Sequence, residues 1–173
     1  MKSHASIKSM IVFAMLGALM FAAKLAFEVL PNIHPLAMFI MTFTVVYRVK
    51  ALIPVYLFVV LFGACYGFSI WWIPYLYIWL FPWAATMLLP KNMPKKVAAV
   101  VYPVVCGLCG LLYGVCYAPA QAILFGFDFP TTIKWIMAGL PFDALHGLGN
   151  VGMGLLVLPL SELLKKLNRS VNL

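Results

Sequence analysis

The sequence predicts an all-α integral membrane protein, and composition, hydropathy and the spacing of apolar runs are the observations that predict it. Of the 173 residues, 65% are hydrophobic and 9% are charged, whereas soluble domains are about half apolar and about a quarter charged. The mean hydropathy is +1.05. Because one spanning helix needs about 20 residues, the chain supplies about six of them. We therefore expect a single membrane domain over residues 1–173.

Charged residues and prolines divide the chain into six apolar runs, each of which predicts a transmembrane helix. These runs cover residues 10–30, 35–47, 51–68, 71–90, 97–117 and 141–164. The second run is only about 20 Å long at the α-helical rise, so it must borrow flanking residues or end inside the bundle. Residues 118–140 are too long for a tight turn. We interpret them as an outer connection with a short helix capped near Thr131 and Thr132, which serves as a lid.

Basic residues predict the orientation, because Lys and Arg near spanning helices stay on the cytoplasmic side. With the N-terminus inside, ten of the twelve Lys and Arg residues share that side: Lys2, Lys8, Arg48, Lys50, Lys91, Lys95, Lys96, Lys165, Lys166 and Arg169. Lys24 and Lys134 fall outside. Both termini are then cytoplasmic. The net charge of +8 is a topology signal, and no nucleic-acid partner is expected.

The stretch "LPFDALHGLGN" places three polar side chains in the last predicted helix. Pro141 suits the first turn of that helix, and the spacing puts Asp143, His146 and Asn150 on one face. Polar groups at this depth cost a few kcal/mol unless they face a cavity or a partner. The sequence favours a substrate-binding site. The alternatives are that Asp143 caps its own helix, and that His146 and Asn150 only bond neighbouring helices.

Aromatic residues in "SIWWIPYLYIWLFPW" form a stripe that includes Trp72, Tyr75, Trp79 and Trp83 at intervals of three and four. The outer members are also what an interfacial aromatic belt requires, and the two deeper tryptophans are equally compatible with a packed core. If the stripe faces the last helix, it adds flat walls to a small-molecule pocket.

Further polar residues gather at the outer side. The first outer loop and its flanks bring Glu28, Asn32 and His34 there, and the fifth helix adds Tyr117 and Gln121 beside Tyr113. All are candidate substrate-binding residues, although Glu28 and Lys24, four residues apart, equally well neutralise each other. With the apolar run of the last helix taken to Leu160, the inner halves of the predicted helices carry no charged residue, which disfavours a carrier driven by an ion relay.

The first helix carries a row of small residues, Ala14, Ala18 and Ala22, at intervals of four. Such rows let a second helix approach closely. Packing inside the bundle and docking of a partner both explain this row.

These features together resemble the substrate-binding S components of energy-coupling factor (ECF) transporters, through which prokaryotes take up vitamins. The resemblance lies in the size, the six helices, both ends inside, the Ala14-x-x-x-Ala18 pattern and the last helix "PFDALHGLGN". It implies that Ala14 and Ala18 dock onto a transmembrane coupling subunit and that two ATPase subunits supply energy. It also implies that His146 and Asn150 meet the substrate at the outer face of the plasma membrane.

The sequence contains few of the motifs that would indicate an enzyme. No serine is placed as a buried nucleophile beside His146, no P-loop motif is present, and His4, His34 and His146 lie in separate regions. The Cys106 and Cys109 pair is more typical of helix packing than of a metal site. We therefore expect no catalysis, no metal and no cofactor. The alternative function is a non-transporting assembly or regulatory protein that binds partner helices.

The substrate class follows only coarsely from the residues. Tryptophan and tyrosine favour a flat, vitamin-like heteroaromatic compound, and Asp143 with Glu28 favours one that donates hydrogen bonds or carries positive charge. Lys24 and Lys134 equally suit a carboxylate or a phosphate, so the charge of the substrate stays open at this point.

Overall fold

The computed structural model describes residues 2–30 and 32–170, except for the side chains of residues 2–6. Lys2 and His4 therefore lie outside the described side chains. The described residues are all-helical, as predicted. The α-helices are α1 (Lys2–Ala26), α2 (Leu36–Tyr47), α3 (Leu52–Tyr66), α4 (Tyr75–Ile78), α5 (Leu80–Leu88), α6 (Lys95–Leu111), α7 (Tyr113–Phe125), α8 (Phe129–Gly154) and α9 (Val157–Ser170), with short 3-10 turns at Arg48–Ala51 and Ile70–Trp72.

Several of these helices are suited to a membrane. By length and hydropathy, the stretches Ile7–Ala26, Leu36–Tyr66 and Lys95–Phe125 are long and apolar enough to cross one, and the pair α8 and α9, bent by 45°, makes a fourth. Large apolar side chains also point outward along the bundle, for example Leu148 at 72% exposure. Such an exterior is unfavourable in water and is what lipid requires. The described helices therefore have the lengths and the apolar surface that a helical membrane protein requires.

The stretch from α2 to α3 folds back on itself. Helix α2 runs parallel to α5, since His34 lies beside Trp79 with ring centroids 6.4 Å apart and the Arg48 guanidinium donates to the Met87 carbonyl at 2.8 Å. Helix α3 runs the other way, because Tyr56 donates to the Leu76 carbonyl at 2.8 Å while Val59, further along α3, accepts from the earlier Trp72 at 2.9 Å. The chain reverses at Arg48, whose φ is 55°.

The second half of the chain forms one long antiparallel pair, in which α6 and α7 pack along α8 and α9. Close approaches mark the whole length: Gly114 lies at Asp143, Gly110 at His146, and Pro103 at Gly154. At the far end the Lys95 ammonium pairs with Glu162 of α9 at 2.6 Å. This pairing fixes which face of α8 points into the bundle.

Residues 118–140, predicted as a connection between two spanning helices, belong instead to the end of α7, a turn and the first part of α8. Helix α7 continues to Phe125 and ends at Gly126, whose φ of 67° forms a left-handed cap. Helix α8 then begins at Phe129, where the Asp128 side chain accepts a hydrogen bond from the Thr131 N–H at 2.9 Å. Residues 118–140 thus form a helical hairpin with a tight turn; the helix predicted near Thr131 and Thr132 is present, but it is continuous with the rest of α8.

Placing Pro141 in the first turn of the last helix was also wrong. Pro141 lies in the interior of α8, about three turns after its start at Phe129. Proline inside a helix is tolerated in membrane proteins because neighbouring helices and local adjustment satisfy the freed backbone groups. The consequence is that Asp143, His146 and Asn150 lie near the middle of the bundle rather than at the end of a helix.

Candidate functional site

The polar face of α8 is buried in the bundle. Asp143, His146 and Asn150 are 5%, 4% and 1% exposed, and all three side chains point towards α6 and α7. Glycines make room for them: a Cβ on Gly114 would overlap the Asp143 carboxylate, and one on Gly110 would lie 2.7 Å from the Asn150 amide nitrogen. The spacing of three and four residues therefore predicts the shared face correctly.

His34 and His146 meet at the level of these residues. Their ring centroids are 4.6 Å apart, and the phenol ring of Tyr113 lies 5.0 Å from His146 on another side. Trp79 closes the group, 6.4 Å from His34 and 6.3 Å from Tyr113. The first loop, α4–α5, α7 and α8 thus each contribute a ring to one cluster.

Asp143 and Asn150 lie on the same face of α8 as His146, and we count them with this cluster. Several polar atoms of the cluster are buried without a hydrogen-bond partner within the described part of the chain. They are His34 Nδ1, Trp79 Nε1, Asp143 Oδ2, His146 Nε2 and Asn150 Oδ1. A buried polar atom without a partner is unfavourable by about 1–3 kcal/mol, and proteins rarely leave such groups together without a reason. Unsatisfied polar atoms on neighbouring elements therefore identify this cluster as the candidate site.

A cleft with a volume of about 440 Å³ opens above the cluster, on the side towards the α7–α8 turn. Its size is within the range of small-molecule pockets. Its lining comprises Asn32, Trp71, Tyr75, Tyr113, Gly114, Tyr117, Trp135, Gly139, Phe142 and Asp143. Asp143 therefore belongs to both the cluster and the cleft.

A much smaller cavity, about 20 Å³, lies behind the wall that Tyr113 forms. His34, Trp79, His146 and Asn150 line it. That volume is near the minimum for a single water molecule. The deeper polar residues are thus separated from the cleft by the Tyr113 ring.

The cleft contains part of the predicted substrate-binding set. Asp143, Asn32, Tyr75 and Tyr117 line it, while His146, Asn150, His34 and Trp79 line the small cavity beneath. The remaining three lie elsewhere: Trp72 donates to the Val59 carbonyl, Glu28 accepts from the Tyr66 hydroxyl, and Gln121 lies one turn beyond Tyr117 on α7.

Trp71 and Trp135 are the two tryptophans of the cleft, and the predicted substrate-binding set contains neither. Trp71, not Trp72, continues the row through Tyr75 and Trp79, with centroids 5.6 Å and 5.2 Å apart. Trp135 stacks on Tyr117 at 6.3 Å with an interplanar angle of 19°. A signal for Trp135 was present, because Trp135, Gly139 and Asp143 are each four residues apart on one helix.

The ion pair of Lys24 and Glu28 stands apart from the cleft. The two groups are 3.9 Å apart, and the Lys24 ammonium lies 5.8 Å from the centroid of the Phe62 ring. Neither residue lines the cleft. Lys24 and Glu28 therefore neutralise each other, which is the alternative to a substrate-binding role that their spacing of four residues allowed.

The small-residue row on α1 faces outward. Ala14, Ala18 and Ala22 are exposed, whereas Phe13, Gly17 and Met20 on the other side of the helix are buried. Gly17 packs closely on Leu57 of α3. The alanine row therefore does not serve packing among the described residues.

The described residues contain no group of three or more His, Cys, Asp or Glu side chains that is placed to hold a metal ion.

Comparison with protein-family models, curated proteins and solved structures found no match. The geometry of the cleft and the cluster is therefore what indicates a function.

His34 supports a prediction about pH. Burial, His146 and Lys24 lower its pKa from 6.5 to about 3, so the folded protein keeps His34 neutral where the unfolded chain binds a proton. Folding stability should then fall by about 1.4 kcal/mol for each pH unit below 6.5 until pH 3. In His34→Gln this contribution is absent. The gap in melting temperature between wild type and variant should narrow from pH 7.5 to pH 4.5; parallel curves would contradict the assignment.

Proposed function

We propose that the protein is the substrate-binding membrane subunit of an ECF-type importer, which captures a small heteroaromatic nutrient at the outer face of a prokaryotic plasma membrane. One observation supports the capture of a small ligand: an aromatic cleft of about 440 Å³ lies directly above buried polar atoms that lack partners among the described residues. Flat walls with a few directional polar groups are the usual composition of a site for a small organic ligand.

The proposed topology has six crossings with both termini in the cytoplasm. The reversal at Arg48 supports it, because α2 and α3 run in opposite directions and each is proposed to cross the membrane once. The end of the bundle that holds Arg48 also holds the Lys95–Glu162 pair and the contact between Tyr47 and Asn168. Basic residues concentrate on the cytoplasmic side of membrane proteins, so this end is proposed to be inside and the cleft opens outward.

Energy is proposed to come from partner subunits. A row of exposed alanines on α1, formed by Ala14, Ala18 and Ala22, offers the close helix–helix approach that a transmembrane coupling subunit requires. The chain has no P-loop motif, so two ATPase subunits are proposed to complete the importer. The chain itself is a transport subunit and not an enzyme.

The test is a thermal-shift screen of the detergent-solubilised protein against vitamins and cofactor precursors. A ligand at 100 times its dissociation constant adds about 2.7 kcal/mol of stability, which is measurable. Tyr117→Leu removes a wall of the cleft and should abolish the shift. Tyr56→Leu is the matched control, because each hydroxyl donates to a backbone carbonyl but Tyr56 lies outside the cleft.

Two results would count against the proposal. One is a folded protein that no compound of a broad library stabilises, which would favour an assembly protein that binds partner helices. The other is a ligand whose shift survives Tyr117→Leu and disappears in Tyr56→Leu, which would place binding elsewhere.

A further inference from the structure

Among the described residues that line the cleft, only one has a side chain that can carry a full charge near neutral pH, and that charge is negative. Of the residues that line the cleft, Asp143 alone is acidic and none is basic. Lys24 is paired with Glu28, and Lys134 is exposed on α8. An anionic ligand would therefore meet a carboxylate and no lysine or arginine in the cleft.

The carboxylate of Asp143 is only half satisfied. Oδ1 accepts a hydrogen bond from the Gly114 N–H at 3.1 Å, whereas Oδ2 is buried without a partner among the described residues and the residue is 5% exposed. A buried carboxylate is strongly unfavourable unless a cation or several donors compensate it. The free oxygen is therefore suited to a positively charged or donating group in the cleft.

The walls of the cleft favour the same sign of charge. Tyr117 and Trp135 lie nearly parallel, at 19°, and Trp71, Tyr75 and Tyr113 complete an aromatic enclosure. The faces of aromatic rings carry negative charge density and attract cations, most strongly where water is excluded. A flat ring that carries positive charge would gain from stacking and from the carboxylate together.

We propose that the cleft selects a positively charged heteroaromatic ring, such as an azolium, an N-alkylpyridinium or a protonated aminoheterocycle, and discriminates against carboxylates and phosphates. Asp143 is the counter-ion and the enclosure of Trp71, Tyr75, Tyr113, Tyr117 and Trp135 holds the ring. This inference rests on the proposed function, and it decides the charge of the substrate that the sequence alone leaves open.

The experiment compares ligands that share a ring and differ in charge. N1-methylnicotinamide, nicotinamide and nicotinate provide a cation, a neutral compound and an anion on one pyridine ring. Thiamine, riboflavin and pyridoxal 5′-phosphate provide a second set with the same three charge types on different and larger molecules. Within a set that binds, the cation should bind most tightly. Asp143→Asn keeps the shape and the acceptor for Gly114 but removes the charge, so cation affinity should fall about 100-fold.

Asp128→Asn is the matched control, because Asp128 is exposed at the start of α8 outside the cleft and asparagine caps a helix equally well. It should bind the cation as wild type does. Trp135→Leu is a second variant, and it should reduce the affinity for the cation about 30-fold. It tests the proposal independently if Asp143→Asn does not fold.

The outcomes separate the two proposals. Tighter binding of an anion or a neutral compound that Tyr117→Leu abolishes would overturn the charge assignment and leave the capture function in place. Cation binding that is unchanged in both Asp143→Asn and Trp135→Leu would also overturn it. If a folded wild-type protein binds nothing in the two sets or in the wider library, both proposals are wrong.

Discussion

Gly110→Ala is expected to destabilise the protein by about 1–3 kcal/mol, the usual effect of overpacking a tight contact, and to weaken ligand binding at the same time. The added Cβ would lie 2.7 Å from the Asn150 amide nitrogen and 2.7 Å from the backbone carbonyl oxygen of His146. A side chain rotates away easily, but the α8 backbone moves only if the helices separate. That separation would displace His146 and Asn150 from the cluster.

The direction of this effect is opposite to what helix propensity predicts. Alanine is better than glycine inside a helix by about 1 kcal/mol, so a gain in stability is expected wherever space allows. Gly152→Ala is the matched control, because Gly152 lies inside α8 and a Cβ added there would have no described atom of a neighbouring element within 4 Å. Melting temperatures of the two variants in detergent, with and without a cleft ligand, provide the measurement. Equal melting temperatures would contradict the packing argument.

The sequence alone predicts which side chains of the site share a helix face, but not how far along the helix they lie. Spacing alone puts Asp143, His146 and Asn150 on one side of a helix, and the structure buries that side. The start of the helix was misplaced because Pro141 was interpreted as an N-terminal residue. Asp128 supplies the actual cap, and the proline is accommodated in the interior.

Helical phase explains the exchange of Trp72 for Trp71. The predicted stripe assumed one uninterrupted helix over residues 71–90, but the chain there consists of a 3-10 turn, the short α4 and then α5. A 3-10 helix has three residues per turn instead of 3.6. Side chains in the 3-10 turn therefore do not keep the helical phase of those in α4 and α5. Trp72 consequently turns to the α3 backbone and Trp71 to the cleft.

Contacts between distant segments could not be derived from one sequence. The approach of His34 to His146 at 4.6 Å depends on how the first loop enters the bundle, and Asn32 within that loop has a φ of 56°. A positive φ is uncommon for residues other than glycine, although asparagine adopts it more readily than most. Neither feature has a periodic signal in the sequence, whereas the alanine row on α1 has one.

Ala18→Trp is expected to reduce uptake of the substrate by about tenfold or more and to leave its binding unchanged. Small side chains let two helix backbones approach closely in a membrane, and a bulky residue in the row holds them apart. Ala18 is exposed on α1, on the side opposite Gly17 and Met20, so the indole would extend outward and not into the bundle. The cleft is lined by other elements.

Two measurements on the same variant separate docking from capture. Uptake of labelled substrate in cells that contain the complete importer should fall, while the dissociation constant of the purified subunit should stay within about twofold of wild type, since the substituted row makes no contact with the cleft. Ala99→Trp is the matched control, because Ala99 is an exposed alanine on α6, away from the row. Equal loss of uptake in both variants would point to a general defect in membrane insertion. Full uptake in Ala18→Trp would exclude the row as a docking surface, and the partner would then have to bind another face of the bundle.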